Sequence, residues 1–161
     1  MPGRSLAKLT SVQYDRCRAA PLRQAGRHEG WNRVSSRILV VEDQEDVAQL
    51  IDVVLKGEGY TVAIARDGAQ GLMMARDWDP DLILMDIMLP GVDGGTLIAR
   101  LRREPETKDL PIIAMSASRT LRDRTGELEA DALLSKPFDV DALLVQVNFL
   151  LSRGRGDGEE A

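Results

Sequence analysis

Glu42, Asp43, Asp86, Ser116 and Lys136 are the side chains of this sequence whose types and spacing could do chemistry together. Glu42-Asp43 follows the apolar run Ile38–Val41, Asp86 follows Leu82–Met85, Ser116 follows Pro111–Met115, and Lys136 follows Ala132–Leu134. Three carboxylates brought to one place repel unless a divalent cation neutralises them. Oxygen ligands with no His or Cys beside them select a hard ion, and Mg²⁺ suits a site open to water and phosphate oxygens. A hydroxyl and an ammonium opposite the carboxylates could bind the oxygens of a phosphoryl group. Aspartate attacks phosphorus to form an acyl phosphate, which makes Asp86 the candidate nucleophile. Taken singly, the pieces have ordinary readings: Glu42-Asp43 as a helix N-cap, Ser116 as a loop hydroxyl, Lys136 as a solvated lysine. Asp86 is harder to set aside, because a carboxylate directly after a buried strand needs a partner.

The elements that must position these groups follow from periodicity. Ile38–Val41, Tyr60–Ala65, Leu82–Met85, Pro111–Met115 and Ala132–Leu134 are apolar runs of strand length. Val47, Leu50, Ile51, Val54 and Leu55 share one helical face, closed by Gly57 and Gly59. Asp67-Gly68 leads a second helix carrying Ala69, Leu72, Met73 and Arg76, and Asp93 caps a third holding Leu97, Ile98 and Leu101. A weak fourth helix is expected over about 119–128, interrupted by Gly126. A fifth begins near Asp139 and buries Val140, Leu143, Leu144, Val147, Leu150 and Leu151. Strands alternating with helices, short connections and right-handed crossovers give a doubly wound parallel α/β sheet. Parallel strands bring their C-terminal ends, and with them the candidate residues, to one rim.

At 161 residues, 43% of them hydrophobic and 29% charged, the chain suits one globular domain. No apolar run is long enough to span a membrane, and the N-terminus lacks the apolar stretch of a signal peptide, so a cytoplasmic protein is expected. The lone Cys17 excludes an internal disulfide framework, and the lone His28 disfavours a His-dependent hydrolase. Residues 1–36 carry seven Lys/Arg against Asp15 and Glu29, leaving the remainder near −10 of a total charge of −5. That part reads as a basic, disordered arm, 37–152 as the folded domain, and 153–161 as a polar flexible tail. The acidic domain is a poor fit to nucleic acid.

From about Arg37 to Leu151 the chain resembles the receiver domain of bacterial two-component response regulators. The motifs are Ile38–Asp43, Asp81–Gly94 around Asp86, Pro111–Ala117 and Ser135-Lys136-Pro137-Phe138. The resemblance implies a flavodoxin-like five-stranded parallel sheet in the order 2-1-3-4-5. It implies Asp86 as phosphoacceptor for a histidine kinase or phosphotransfer protein. Mg²⁺ would then be held by Asp43, Asp86 and the backbone carbonyl of Met88, with Glu42 acting through water. Ser116 would be the switch hydroxyl that moves to the phosphoryl group, Lys136 would pair with that group, and Lys136–Pro137 would be a cis peptide. Three positions depart from the family pattern: Leu133 replaces the usual switch aromatic, Gly95 a bulky apolar residue, and Glu129 a glycine.

The expected role is that of a stand-alone, chemotaxis-regulator-like receiver, a phosphoacceptor and not a turnover enzyme, with no DNA-binding output domain. It would signal to an unknown downstream protein, and could dimerise, through the face made by the fourth helix, fifth strand and fifth helix. The rival readings are a phosphorylation-independent binding module and a nucleic-acid or membrane adaptor working through the basic arm. A Mg²⁺-dependent phosphatase would need a second aspartate where Met88 stands. A flavin carrier would need a hydroxyl-rich phosphate loop where Glu42–Asp46 stands.

Overall fold

The apolar runs become a sheet covered on both faces. The structure, a computed structural model, describes residues 35–117 and 128–160. Its strands are β1 (Arg37–Val41), β2 (Thr61–Ala65), β3 (Leu82–Asp86), β4 (Ile112–Ser116) and β5 (Ala132–Ser135). Its helices are α1 (Glu45–Gly57), α2 (Gly68–Asp77), α3 (Gly94–Arg103) and α4 (Val140–Glu160). The strands pair in parallel in the order β2-β1-β3-β4-β5, the order expected. The basic arm, up to residue 34, and the helix expected over about 119–128, up to residue 127, lie outside the described residues.

Alternation along the strands sorts their side chains between two cores. Leu39 and Val41, Ile83 and Met85, and Ile112 and Ala114 face α2 and α3. Ile38 and Val40, Leu82 and Leu84, and Ile113 and Met115 face α1 and α4. Each of these side chains is essentially sealed from water, and full burial of such a group stabilises by roughly 1.5–3 kcal/mol. The pleat carries this sorting into the site: Glu42, Asp86 and Lys136 continue the rows of Val40, Leu84 and Leu134. Ser116 continues the opposite row, after Ala114.

The helix faces are rotated from the expected ones in places. On α1 the buried residues are Ala48, Ile51 and Leu55, while Leu50 is 50% exposed. On α2, Met74 and Ala75 are buried, whereas Ala69 is exposed and Met73 is 48% exposed. On α4, Leu143, Val147 and Leu150 are buried, Leu144 and Leu151 only partly so, and Val140 lies exposed. A strip of helix facing a curved sheet is narrower than the apolar stripe drawn from sequence, so the stripe's margin meets water. Asp93 does cap α3, accepting the Thr96 N–H at 3.3 Å, and Asp67 caps α2 in the same way at 2.7 Å. The expected tail corrects to helix: α4 runs on to Glu160. Elongating an existing helix adds one hydrogen bond per residue fixed, without a new nucleus.

Candidate functional site

Asp86 ends the central strand, buried to 3% exposure, flanked by β1 on one side and β4 on the other. Glu42 and Asp43 follow β1 immediately, and oxygen atoms of Glu42, Asp43 and Asp86 all lie within 4.8 Å of one another. Neither Glu42 nor Asp43 is the α1 N-cap, which is Gln44. Instead the fully buried Glu42 turns inward, one oxygen accepting the Gln44 N–H at 3.1 Å. Its other oxygen takes the Lys136 ammonium at 2.7 Å, and Lys136 also reaches Asp86 Oδ2 at 3.2 Å. Asp86 Oδ1 accepts the Met88 N–H at 2.9 Å.

Lys136 is aimed from β5 by the backbone. Its N–H donates to the Ser116 carbonyl at 2.7 Å, and the Lys136–Pro137 bond is cis, as expected. Ser116 is buried at the end of β4, next to Met115, which pairs with Asp86 in register. All five candidate residues therefore meet at one edge of the sheet, on the ends of four adjacent segments.

The electrostatics of this edge are unbalanced. Three carboxylates face one ammonium, which leaves two negative charges over. Burial pushes the Glu42 carboxyl above its ordinary value, and the Asp86 charge adds to this against the opposing hydrogen bonds from Lys136 and Gln44. Burial also works against the Lys136 ammonium, but the Glu42 hydrogen bond and the Asp86 charge outweigh it and hold Lys136 protonated above the usual lysine range. The donor set suits Mg²⁺: hard oxygen atoms, close together, carrying an excess charge that matches a dication.

Sequence reasoning named Gly94 and Gly95 but not the close contacts that require glycine in the loop after Asp86. A Cβ on Gly94 would lie 2.6 Å from Ile87 Cα and 2.7 Å from the Asp86 carbonyl, so only glycine lets α3 start this close. Gly95 is not merely a weak helix former, since a Cβ there would stand 3.1 Å from both Leu128 Cδ2 and Asp93 Oδ2. The doubled glycine directly after the capping Asp93 was the available signal. Arg102, which no motif marks, donates to the carbonyls of Glu129, Lys108 and Leu110 and to the Asp131 carboxylate. Leu133 is partly buried against the core under α2 and α3.

Residues 38–148 match the family model of the response regulator receiver domain. The chain is 40% identical over 119 residues to the DNA-binding dual master transcriptional regulator RpaA of Synechocystis, covering 73% of this chain and 49% of that protein. It therefore spans about half the length of that relative. Among solved structures, the receiver domain of a Francisella response regulator matches at 30% identity and TM-score 0.68, covering 74% of this chain and 99% of that one. The receiver domain of sensor histidine kinase PA1611 from Pseudomonas aeruginosa matches at 30% identity and TM-score 0.65, over 76% and 99%. That structure holds a magnesium ion in its active-site cleft.

Proposed function

This chain belongs to the response regulator receiver domain family, and from that premise we propose that it accepts a phosphoryl group on Asp86 from a histidine kinase or phosphotransfer protein. The observation that carries the reading is Asp86 itself: a buried strand-end carboxylate within reach of two other carboxylates and of the Lys136 ammonium. An Asp86 oxygen attacks phosphorus, the P–O bond forms as the P–N bond to the donor imidazole breaks, and the imidazole leaves neutral after taking up a proton. Lys136, held above the usual lysine range, stays charged and pairs with the incoming phosphoryl oxygens. Ser116 supplies a hydroxyl donor from the neighbouring strand end. Asp43 and Asp86, with Glu42 through water and the Met88 carbonyl, would hold Mg²⁺, which neutralises charge on the transferring oxygens.

The product is a modified protein, and the chain is a signalling phosphoacceptor and not a turnover enzyme. We read it as a cytoplasmic receiver that signals through contacts with another protein. The solved receiver domain covered at 99% supports a unit of this extent folding as one body. No helix among the described residues is long and apolar enough to cross a membrane. Intact-mass analysis after incubation with acetyl phosphate tests the proposal. One added phosphoryl group, dependent on Mg²⁺ and lost in Asp86→Asn, is expected. No adduct together with no Mg²⁺ binding would leave a receiver fold used as a binding module.

A further inference from the structure

The usual aromatic relay cannot run through Leu133, yet the chain ties the Asp86 loop to the entry of β5 by a different route, along α3. At its first turn α3 is locked to the loop: the Gly94 N–H donates to the Ile87 carbonyl at 3.1 Å, and no side chain fits between them. Gly95, Ile98 and Arg102 fall at i, i+3 and i+7 and so form one stripe of the same helix. Gly95 leaves a notch against Leu128, with a Cβ there only 3.1 Å from Leu128 Cδ2. Arg102 donates to the Glu129 carbonyl and to Asp131 Oδ2, both at 2.8 Å. The same Asp131 oxygen accepts the Ile112 N–H at 2.8 Å, so the guanidinium also braces the start of β4.

Leu128 meets α3 at Gly95, and Glu129 and Asp131 meet it at Arg102. Residues 128–131 therefore lie along the stripe, gripped at both ends, and lead directly into the strand that delivers Lys136. Arg102 is 15% exposed in its side chain and multiply bonded, which a surface arginine serving only solubility would not be.

We infer that α3 is a lever between the phosphoacceptor loop and the β5 entry, with Gly95 and Arg102 as its positioning residues, so that a change at Asp86 is read out at residues 128–135. This rests on the phosphoacceptor reading above. A guanidinium is required because a lysine ammonium has no planar fork to hold a carbonyl and a carboxylate together.

The test uses beryllofluoride with Mg²⁺ as the phosphoryl mimic, following its bound fluorine signal and, separately, amide hydrogen exchange across residues 128–135. In the native chain exchange there should change about fivefold or more on binding. In Arg102→Lys, and independently in Gly95→Ala, the bound fluorine signal should persist while exchange at 128–135 stays at its unliganded rate. Variants that keep the native exchange response would overturn the lever, and Gly95→Ala decides the matter should Arg102→Lys fail to fold. A native chain that binds the mimic with no change at 128–135 also overturns it, while leaving the phosphoacceptor reading standing. A native chain that does not bind the mimic removes both.

Discussion

Asp81 and Asp86 bracket the same strand, one at each end, and the molecule uses them for opposite purposes. Asp81 pins the start of β1: its Oδ2 accepts the Arg37 N–H at 2.8 Å while its own N–H donates to the Arg37 carbonyl at 2.7 Å. Asp131 repeats the arrangement before β5, accepting from Ile112 and donating back to it, each at 2.8 Å, with Arg102 as its counter-charge. At that edge carboxylates are structural, each matched to the donors beside it. At the other edge Glu42, Asp43 and Asp86 crowd around Lys136 with charge left over. The difference teaches where to look for function in a doubly wound sheet: where the fold leaves charge unmatched, since matched charge only holds strands in place.

Removing Lys136 should break the comparison most severely. Lys136→Met leaves buried Glu42 and Asp86 without a counter-charge, and should destabilise the chain by about 3–5 kcal/mol in urea unfolding. Mg²⁺ should sharpen it. At about 100 times its dissociation constant the ion should raise stability by about 2.7 kcal/mol, read as a shifted thermal midpoint. The same addition to Asp43→Ala should produce little shift. Asp81→Ala, at the matched edge, should cost roughly 1–3 kcal/mol through the stranded Arg37 N–H, yet leave acceptance of a phosphoryl group intact by intact mass.

The smallest effect is one of sign. Burial raises Glu42 above its ordinary 4.5, so the stability it provides is present below that value and is lost as pH rises through the folded value. The Arg76 hydrogen bond lowers Glu104, whose contribution is present above 4.5 and is lost as pH falls through its folded value. Relative to the native chain, Glu42→Gln should therefore gain stability as pH rises, and Glu104→Gln should lose it. Urea midpoints between about pH 4 and 7 check the two slopes. Slopes of one sign would mean that Glu42 is matched as fully as Glu104.

The central strands were legible because β1, β3 and β4 are unbroken apolar runs buried on both faces, which little besides a parallel sheet core produces. The site was legible for the same reason: Asp86 and Glu42 interrupt those runs with charge at the point where the strands end. Helix faces were less so, since Leu50 and Met73 fit an apolar stripe as well as Ala48 and Met74 do, and only the docked angle decides which is buried. The caps Asp81 and Asp131 and the clamp Arg102 left no readable trace. Their partners are mostly backbone groups that any residue could supply, joined only by tertiary folding.

The most direct measurement is the location of the phosphoryl group. After phosphorylation with acetyl phosphate and Mg²⁺, borohydride reduction converts an acyl-phosphorylated aspartate into homoserine, which peptide mass mapping assigns to a residue. The account predicts homoserine at Asp86 and unaltered Glu42, Asp43 and Asp81. Reduction at Asp43, or a modified Glu42 with Asp86 intact, would contradict it, because the nucleophile would then be a carboxylate after β1 and not the one that ends β3.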